Sequence, residues 1–372
     1  MVSMRRFFLI SFVLLTCASC VRDEERLAHV LMVYMGAENN ELSSEAYQKI
    51  DALRQGSTTV GYKIIVYVDG IGAGPRLIAL ENGQQSTLAE YEAENSADAA
   101  VFTRVTRDIA ARYPADSYGL LLFSHASGWL PEGVFSSTRS IMMDNNREME
   151  LVDFAAAIPD RFFKYIMFEA CFTAGIEMMY ELRHKADYIM GSSAEIVSPG
   201  YMPFYKTALP CPNCMPNSLV DFADRYFTDV NQASGDRRSA TISLIETAGL
   251  EALALSVRQA YSDYPHNTLA DISAIQYFDR ITKPAYPAHY FFDLGDYMEQ
   301  RYPEVAAAIL EKIDACVLYK AATPAFLMPT PAYNGFLISK HCGLTIYIPQ
   351  NEHAGFNGAY TKLAWYKAVM NE

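Results

Sequence analysis

Short apolar runs rich in Val, Ile, Tyr and Phe alternate along this chain with longer stretches of helical period, and that alternation rules out most architectures. Residues 29–35, 63–68, 118–124, 164–168 and 188–191 read as strands, with 76–80 as a shorter neighbour. Between them "NNELSSEAYQKIDALRQ", 97–113, 151–158 and 173–184 read as helices. Asp69 and Gly70 read as a turn, and "SIMMDNNREMEL" as a hairpin bent at Asn145 and Asn146. Strands regularly separated by helices predict a three-layer α/β/α sandwich with a mostly parallel central sheet, in which loops at the strand ends carry the functional residues. A Pro-, Cys- and Asn-rich loop follows at 199–217; then "SATISLIE" reads as a strand, 250–261, 294–302 and 303–316 as helices, and "CGLTIYIP" as a late strand.

Two strands end on reactive side chains: "YGLLLFSH" on His125 and "KYIMFEAC" on Cys171. Adjacent strands of a parallel sheet finish at the same edge, so an imidazole and a thiol distant in sequence meet there. That pair is the minimum for nucleophilic catalysis, because a thiol near neutral pH needs an imidazole or a helix N-terminus to raise its thiolate fraction. The helix expected after Cys171 is placed to supply the second effect. The backbone N–H groups of Cys171 and Ala126 are the candidate donors to an oxyanion. Glu169, two residues before the thiol, projects to the same side by the period of an extended chain. It either meets a cationic substrate side chain or is a buried carboxylate bonded at the strand end.

With 372 residues, 51% of them hydrophobic and 13% aromatic, the chain can bury a large core. Its net charge of -13 argues against nucleic acid or an anionic membrane surface as partner. The N-terminus differs from the rest. Arg5 and Arg6 precede an apolar run too short to span a bilayer, and "TCASC" then leads to Cys20. This resembles a bacterial lipoprotein signal over 1–20, with Cys20 as the lipidated residue and Cys17 as the alternative acceptor. The body is therefore expected in the cell envelope, on the outer membrane or cell surface, touching the membrane only through a lipid. Five cysteines remain, Cys171, Cys211, Cys214, Cys316 and Cys342, an odd number that leaves at least one thiol unpaired in an exported protein. Cys211 and Cys214 read as a disulfide, as two buried thiols, or as half of a metal or redox site.

The stretches "LMVYMGAENN", "YPADSYGLLLFSHASGW", "FEACFTAGIEMMYELRHKADYIMGSS", "ATISLIE", "FFDLGDYM" and "GLTIYIP" resemble, in order and spacing, the clostripain family, the C11 cysteine peptidases of the caspase-like clan. The resemblance runs from about His29 to about Pro349. It implies a caspase-like catalytic core over 21–246, with 247–372 as a C-terminal subdomain packed on it. It further implies a cysteine endopeptidase in which Cys171 is the nucleophile, His125 its partner, and Glu169 the reader of a basic P1 residue. Members are often zymogens cut in the loop between the catalytic strands, where Arg139 and Arg147 stand, the first in the more polar setting. No cofactor is expected; calcium, which some members need, is left open, since no EF-hand loop is present. The expected partner is a peptide or protein substrate.

Three departures bear on this reading. Ala126 and Ser127 replace glycines that follow the histidine in the family, and Glu replaces the usual Asp at 169. Tyr201 and Met202 stand where relatives carry another acid. An alanine forced to a positive φ would cost on the order of 1 kcal/mol. These changes motivate the alternative of a degenerate, clostripain-like lipoprotein that binds peptides without cleaving them.

Overall fold

The computed structural model describes residues 26–37, 40–70, 73–131, 141–144, 147–269, 271–280, 288–330, 334–351 and 353–371. In chain order the strands are β1 (Val30–Ala37), β2 (Lys63–Gly70), β3 (Ala73–Glu81), β4 (Gln84–Glu90), β5 (Tyr118–Phe123), β6 (Met142–Asp144), β7 (Arg147–Met149) and β8 (Phe163–Glu169). There follow β9 (Ala186–Gly191), β10 (Thr241–Glu246), β11 (Phe292–Asp293), β12 (Val317–Ala322), β13 (Ala325–Phe326), β14 (Phe336–Leu337) and β15 (Thr345–Ile346). The helices are α1 (Asn40–Gly56), α2 (Ala99–Arg112), α3 (Leu151–Ala157), α4 (Ile176–Glu181), α5 (Asn217–Gln232), α6 (Leu250–Asp263), α7 (Leu294–Arg301), α8 (Ala306–Cys316), α9 (Ala354–Tyr360) and α10 (Ala364–Met370).

Nine strands form one sheet in the order β12-β10-β9-β8-β5-β1-β2-β3-β4. The middle five, β9, β8, β5, β1 and β2, pair in parallel, and the flanking strands pair antiparallel. The central strands are apolar on both sides because both sides are covered. Along β1, Val30, Met32 and Tyr34 enter one hydrophobic cluster while Leu31, Val33 and Met35 enter the other. Helices α1 and α5 close the second face; α2, α3, α4, α6, α8 and α10 close the first. The three-layer sandwich with a mostly parallel sheet is the architecture expected from the sequence. The chain after β10 is part of the same body, since β12 is an edge strand of the sheet and α6 and α8 bury Leu253, Val257, Ile309 and Ile313 in the first cluster.

The structure departs from the sequence reading at the margins. Strand β4 was not expected because "QQSTLAE" is an edge strand exposed along most of its length, so it lacks an apolar run. Asp69 and Gly70 continue β2 instead of turning out of it. The late strand "CGLTIYIP" shrinks to β15, which pairs with β11 outside the main sheet. The hairpin of β6 and β7 is present, with Asn145 and Asn146 outside the described residues. Helix α4 is the consequential change: it was expected from Thr173 but begins at Ile176. Phe172 and Ala174 instead donate their N–H groups to Ala194 and Ser192 carbonyls at 3.0 and 2.9 Å. Phe172 takes a left-handed conformation (φ 58°), so the backbone turns sharply just after Cys171 before a helix can start.

Candidate active site

In the parallel β5–β8 pair Phe123 stands opposite Glu169. Two residues further along each chain come His125 and Cys171, so imidazole and thiol leave the same edge of the sheet from neighbouring strands. Both residues are half-buried. The turns that follow them pack together: a Cβ on Gly128 would approach the Phe172 carbonyl oxygen to 2.5 Å. Glycine is required there for space, and also for its φ of 66°. The left-handed residue of this loop is thus Gly128, which the chain keeps, and the backbone at Ala126 carries no such conformation. The strain anticipated at Ala126 does not arise.

Among the described residues the free thiols are Cys171, Cys316 and Cys342. Burial pushes the Cys316 thiol up to about 11 and raises that of Cys342, which also faces the Asp293 carboxylate. Both are inert core thiols. Cys171 is the one that solvent reaches, and its sulfur accepts the backbone N–H of Ile196 at 3.4 Å. The helix N-terminus expected beside the thiol is not there, because the dipole effect decays within the first turn and α4 starts beyond the turn that holds Cys171. Close by, Arg280 grips Glu195, the residue before Ile196, through Nε and Nη2 at 2.6 and 2.8 Å. Cys211 and Cys214 form a disulfide, which removes the metal-site reading of that pair.

Glu169 is 3% exposed, and its carboxylate is fully engaged inside the protein. Its Oε1 accepts from Lys49 Nζ at 2.6 Å and from the Tyr201 N–H at 2.5 Å, while Oε2 accepts from the Tyr205 hydroxyl. Burial raises the carboxyl's pKa, and these donors act against that rise. Gly200, at φ 58°, passes so close that a Cβ would lie 2.4 Å from Glu169 Oε1. Of the two readings open at the sequence level, the geometry is that of the bonded, buried carboxylate. Tyr201 takes part through its backbone N–H, not as a surface residue.

Residues 33–371 match the sequence pattern of the clostripain family, peptidase family C11. The chain belongs to the clostripain family. As a member it is a cysteine protease, and its three-layer sandwich is caspase-like. A solved structure described as an inactive zymogen C11 protease from Parabacteroides distasonis is 29% identical, with a TM-score of 0.80 over 92% of this chain and 98% of that one. A second, a secreted C11 cysteine protease from Bacteroides thetaiotaomicron in complex with an irreversible peptide inhibitor, is 26% identical, with a TM-score of 0.78 over the same 92% and 98%. No curated protein matches the chain by sequence.

Several residues of this clostripain-family site were not singled out from sequence: Lys49, Glu195, Ile196, Tyr205 and Arg280. Lys49 had a legible signal. Ala46, Lys49, Ile50 and Leu53 recur at helical spacing, which puts the lysine on the buried stripe of α1. The others come from remote loops and carry no local pattern. Of the proposed processing points, Arg147 is exposed on β7, while Arg139 lies outside the described residues, as do Cys17 and Cys20. Among the described residues no cluster of three or more His, Cys, Asp or Glu could hold a metal ion.

A second buried carboxylate lies in α4. Burial pushes Glu177 up to about 7, against the pull of the Tyr347 N–H, which donates to its Oε1 at 2.7 Å. Its folded pKa exceeds the unfolded value near 4.5, so its contribution to stability is fully present below pH 4.5 and is lost as pH rises through 7. Glu177→Gln is therefore expected to be nearly neutral at pH 5 and to stabilise the protein by about 2–3 kcal/mol at pH 8. Denaturant unfolding of both proteins at the two pH values checks this; an equal effect at both would contradict it.

Proposed function

We propose that the protein is an endopeptidase whose catalytic dyad is Cys171 and His125. The observation that carries the assignment is the β5–β8 register, which delivers an accessible thiol and an imidazole to one edge of the sheet. The Cys171 sulfur attacks the scissile carbonyl carbon, and the C–N bond breaks as His125 gives its proton to the leaving amine. His125 then takes a proton from water, which attacks the thioester; the C–S bond breaks, the acid leaves, and the sulfur returns as a thiolate beside the protonated imidazole. The backbone N–H groups of Cys171 and Ala126 are the proposed oxyanion donors. The unstrained backbone at Ala126 removes one ground for the non-cleaving alternative.

A latent form activated by cutting the connection between β5 and β8 is the second part of this reading, supported by the similar structure described as an inactive zymogen. Export follows from the signal-like residues 1–20, and it is supported by the similar protease described as secreted. Lipid on Cys20 would then hold the enzyme at the cell envelope. Among the described residues no helix is long and apolar enough to cross a membrane.

The test is covalent labelling. An irreversible thiol-directed peptide should modify the purified protein once, at Cys171, and intact mass should show the label, the lipid and any internal cut together. Labelling at Cys316 or Cys342, or equal labelling after Cys171→Ala, would remove the dyad.

A further inference from the structure

We infer that Lys49 acts as a built-in counterion that takes Glu169 out of substrate recognition, so that the enzyme prefers an uncharged, apolar P1 side chain. The inference rests on the cysteine-peptidase reading above and narrows its substrate class. Glu169 stands two residues before the nucleophile on β8 and faces α1, at the position to which the family resemblance gives the reading of a P1 charge. Tyr226 of α5 feels both the Glu169 carboxylate and the Cys171 sulfur, which puts the two groups in one neighbourhood.

The donors and acceptors around this carboxylate balance without a substrate. An ammonium has three N–H bonds to give. Lys49 Nζ has three oxygen partners, Glu169 Oε1 at 2.6 Å, Glu45 Oε1 at 2.9 Å and the Pro199 carbonyl at 3.0 Å. Its charge also lies 4.6 Å from the centre of the Phe123 ring. Both Glu169 oxygens are in turn taken, by Lys49, Tyr201 and Tyr205. The pair is closed off from water, with side-chain exposures of 0% and 2%.

A cationic P1 residue would have to displace a desolvated ammonium from Glu169, leaving Lys49 with Glu45 as its one remaining carboxylate partner. An apolar P1 residue needs no such exchange. Half-buried Ile196 and Met202 pack on the hydrophobic cluster beside this carboxylate and offer it apolar contact. The same physics disfavours Arg139 and Arg147 as self-cleavage points.

The deciding experiment measures kcat/KM on one peptide scaffold with Leu, Met, Arg or Lys at P1. It uses the full chain, Cys171→Ala, Lys49→Met, and Lys49→Met combined with Glu169→Gln. Wild type is expected to favour Leu or Met over Arg and Lys by about tenfold or more. Lys49→Met should shift the ratio toward the basic peptides by about tenfold, and the double variant, with no charge pair, should keep the apolar preference. Wild-type preference for Arg or Lys, or self-cleavage after Arg139, would overturn the inference while leaving the peptidase reading intact. Turnover of none of the four peptides even after limited proteolysis of the β5–β8 connection, or turnover unchanged in Cys171→Ala, would overturn both. Because the wild-type panel decides by itself, poor folding of Lys49→Met does not blunt the test.

Discussion

Cys171→Ala is expected to lower kcat/KM on any cleavable peptide by a factor on the order of 10⁴ or more, and His125→Ala to cost nearly as much. The expectation follows from the division of labour between the two. Without the sulfur there is no covalent intermediate; without the imidazole the thiol is mostly protonated and the leaving amine receives no proton. Because the groups act as one unit, the double variant should be scarcely worse than either single variant. Cys316→Ala and Cys342→Ala supply the contrast: both thiols are buried in the core, so they should change stability and leave kcat near the wild-type value. The measurement is steady-state hydrolysis with active-site titration, so that loss of folded enzyme is not mistaken for loss of chemistry. A Cys171→Ala protein retaining a tenth of the wild-type rate would place the nucleophile elsewhere.

The largest expected loss of stability comes from Lys49→Met, about 3–5 kcal/mol, because it leaves the Glu169 carboxylate buried without a counterion. Glu169→Gln should cost less. The amide still accepts from the Tyr201 N–H, and Glu45 still faces the ammonium. Combining Lys49→Met with Glu169→Gln should recover most of the loss, since the carboxylate then left without its lysine is Glu45, which solvent still reaches. Chemical unfolding of the four proteins at pH 7 gives the coupling energy directly. A cost below about 1 kcal/mol for Lys49→Met would mean that the pair is exposed to water and behaves as a surface ion pair.

The sandwich and the two strands that lead to His125 and Cys171 were legible from local pattern, and the family from a resemblance spread over six stretches of the chain. Strands buried on both faces must be apolar throughout, which is why β1, β5 and β8 stand out, and β5 and β8 lead directly to His125 and Cys171. What failed were features whose cause is not local. The edge strand β4 is polar because water, not a neighbour, covers it. The first turn of α4 is missing because the backbone is left-handed at Phe172 and extended at Gly175, a path held by hydrogen bonds to the carbonyls of Ser192 and Ala194.

The sequence by itself determined which side chains could react and on which strands they would ride, since period and burial are set by residues near one another in the chain. Only the tertiary structure decided what those side chains meet. Whether Glu169 faces a substrate or a lysine depends on α1 packing across the sheet to bring Lys49 within 2.6 Å, a contact between residues far apart in the chain. Electrostatics at short range in a water-excluded interior turns on such contacts, and no local spacing encodes them.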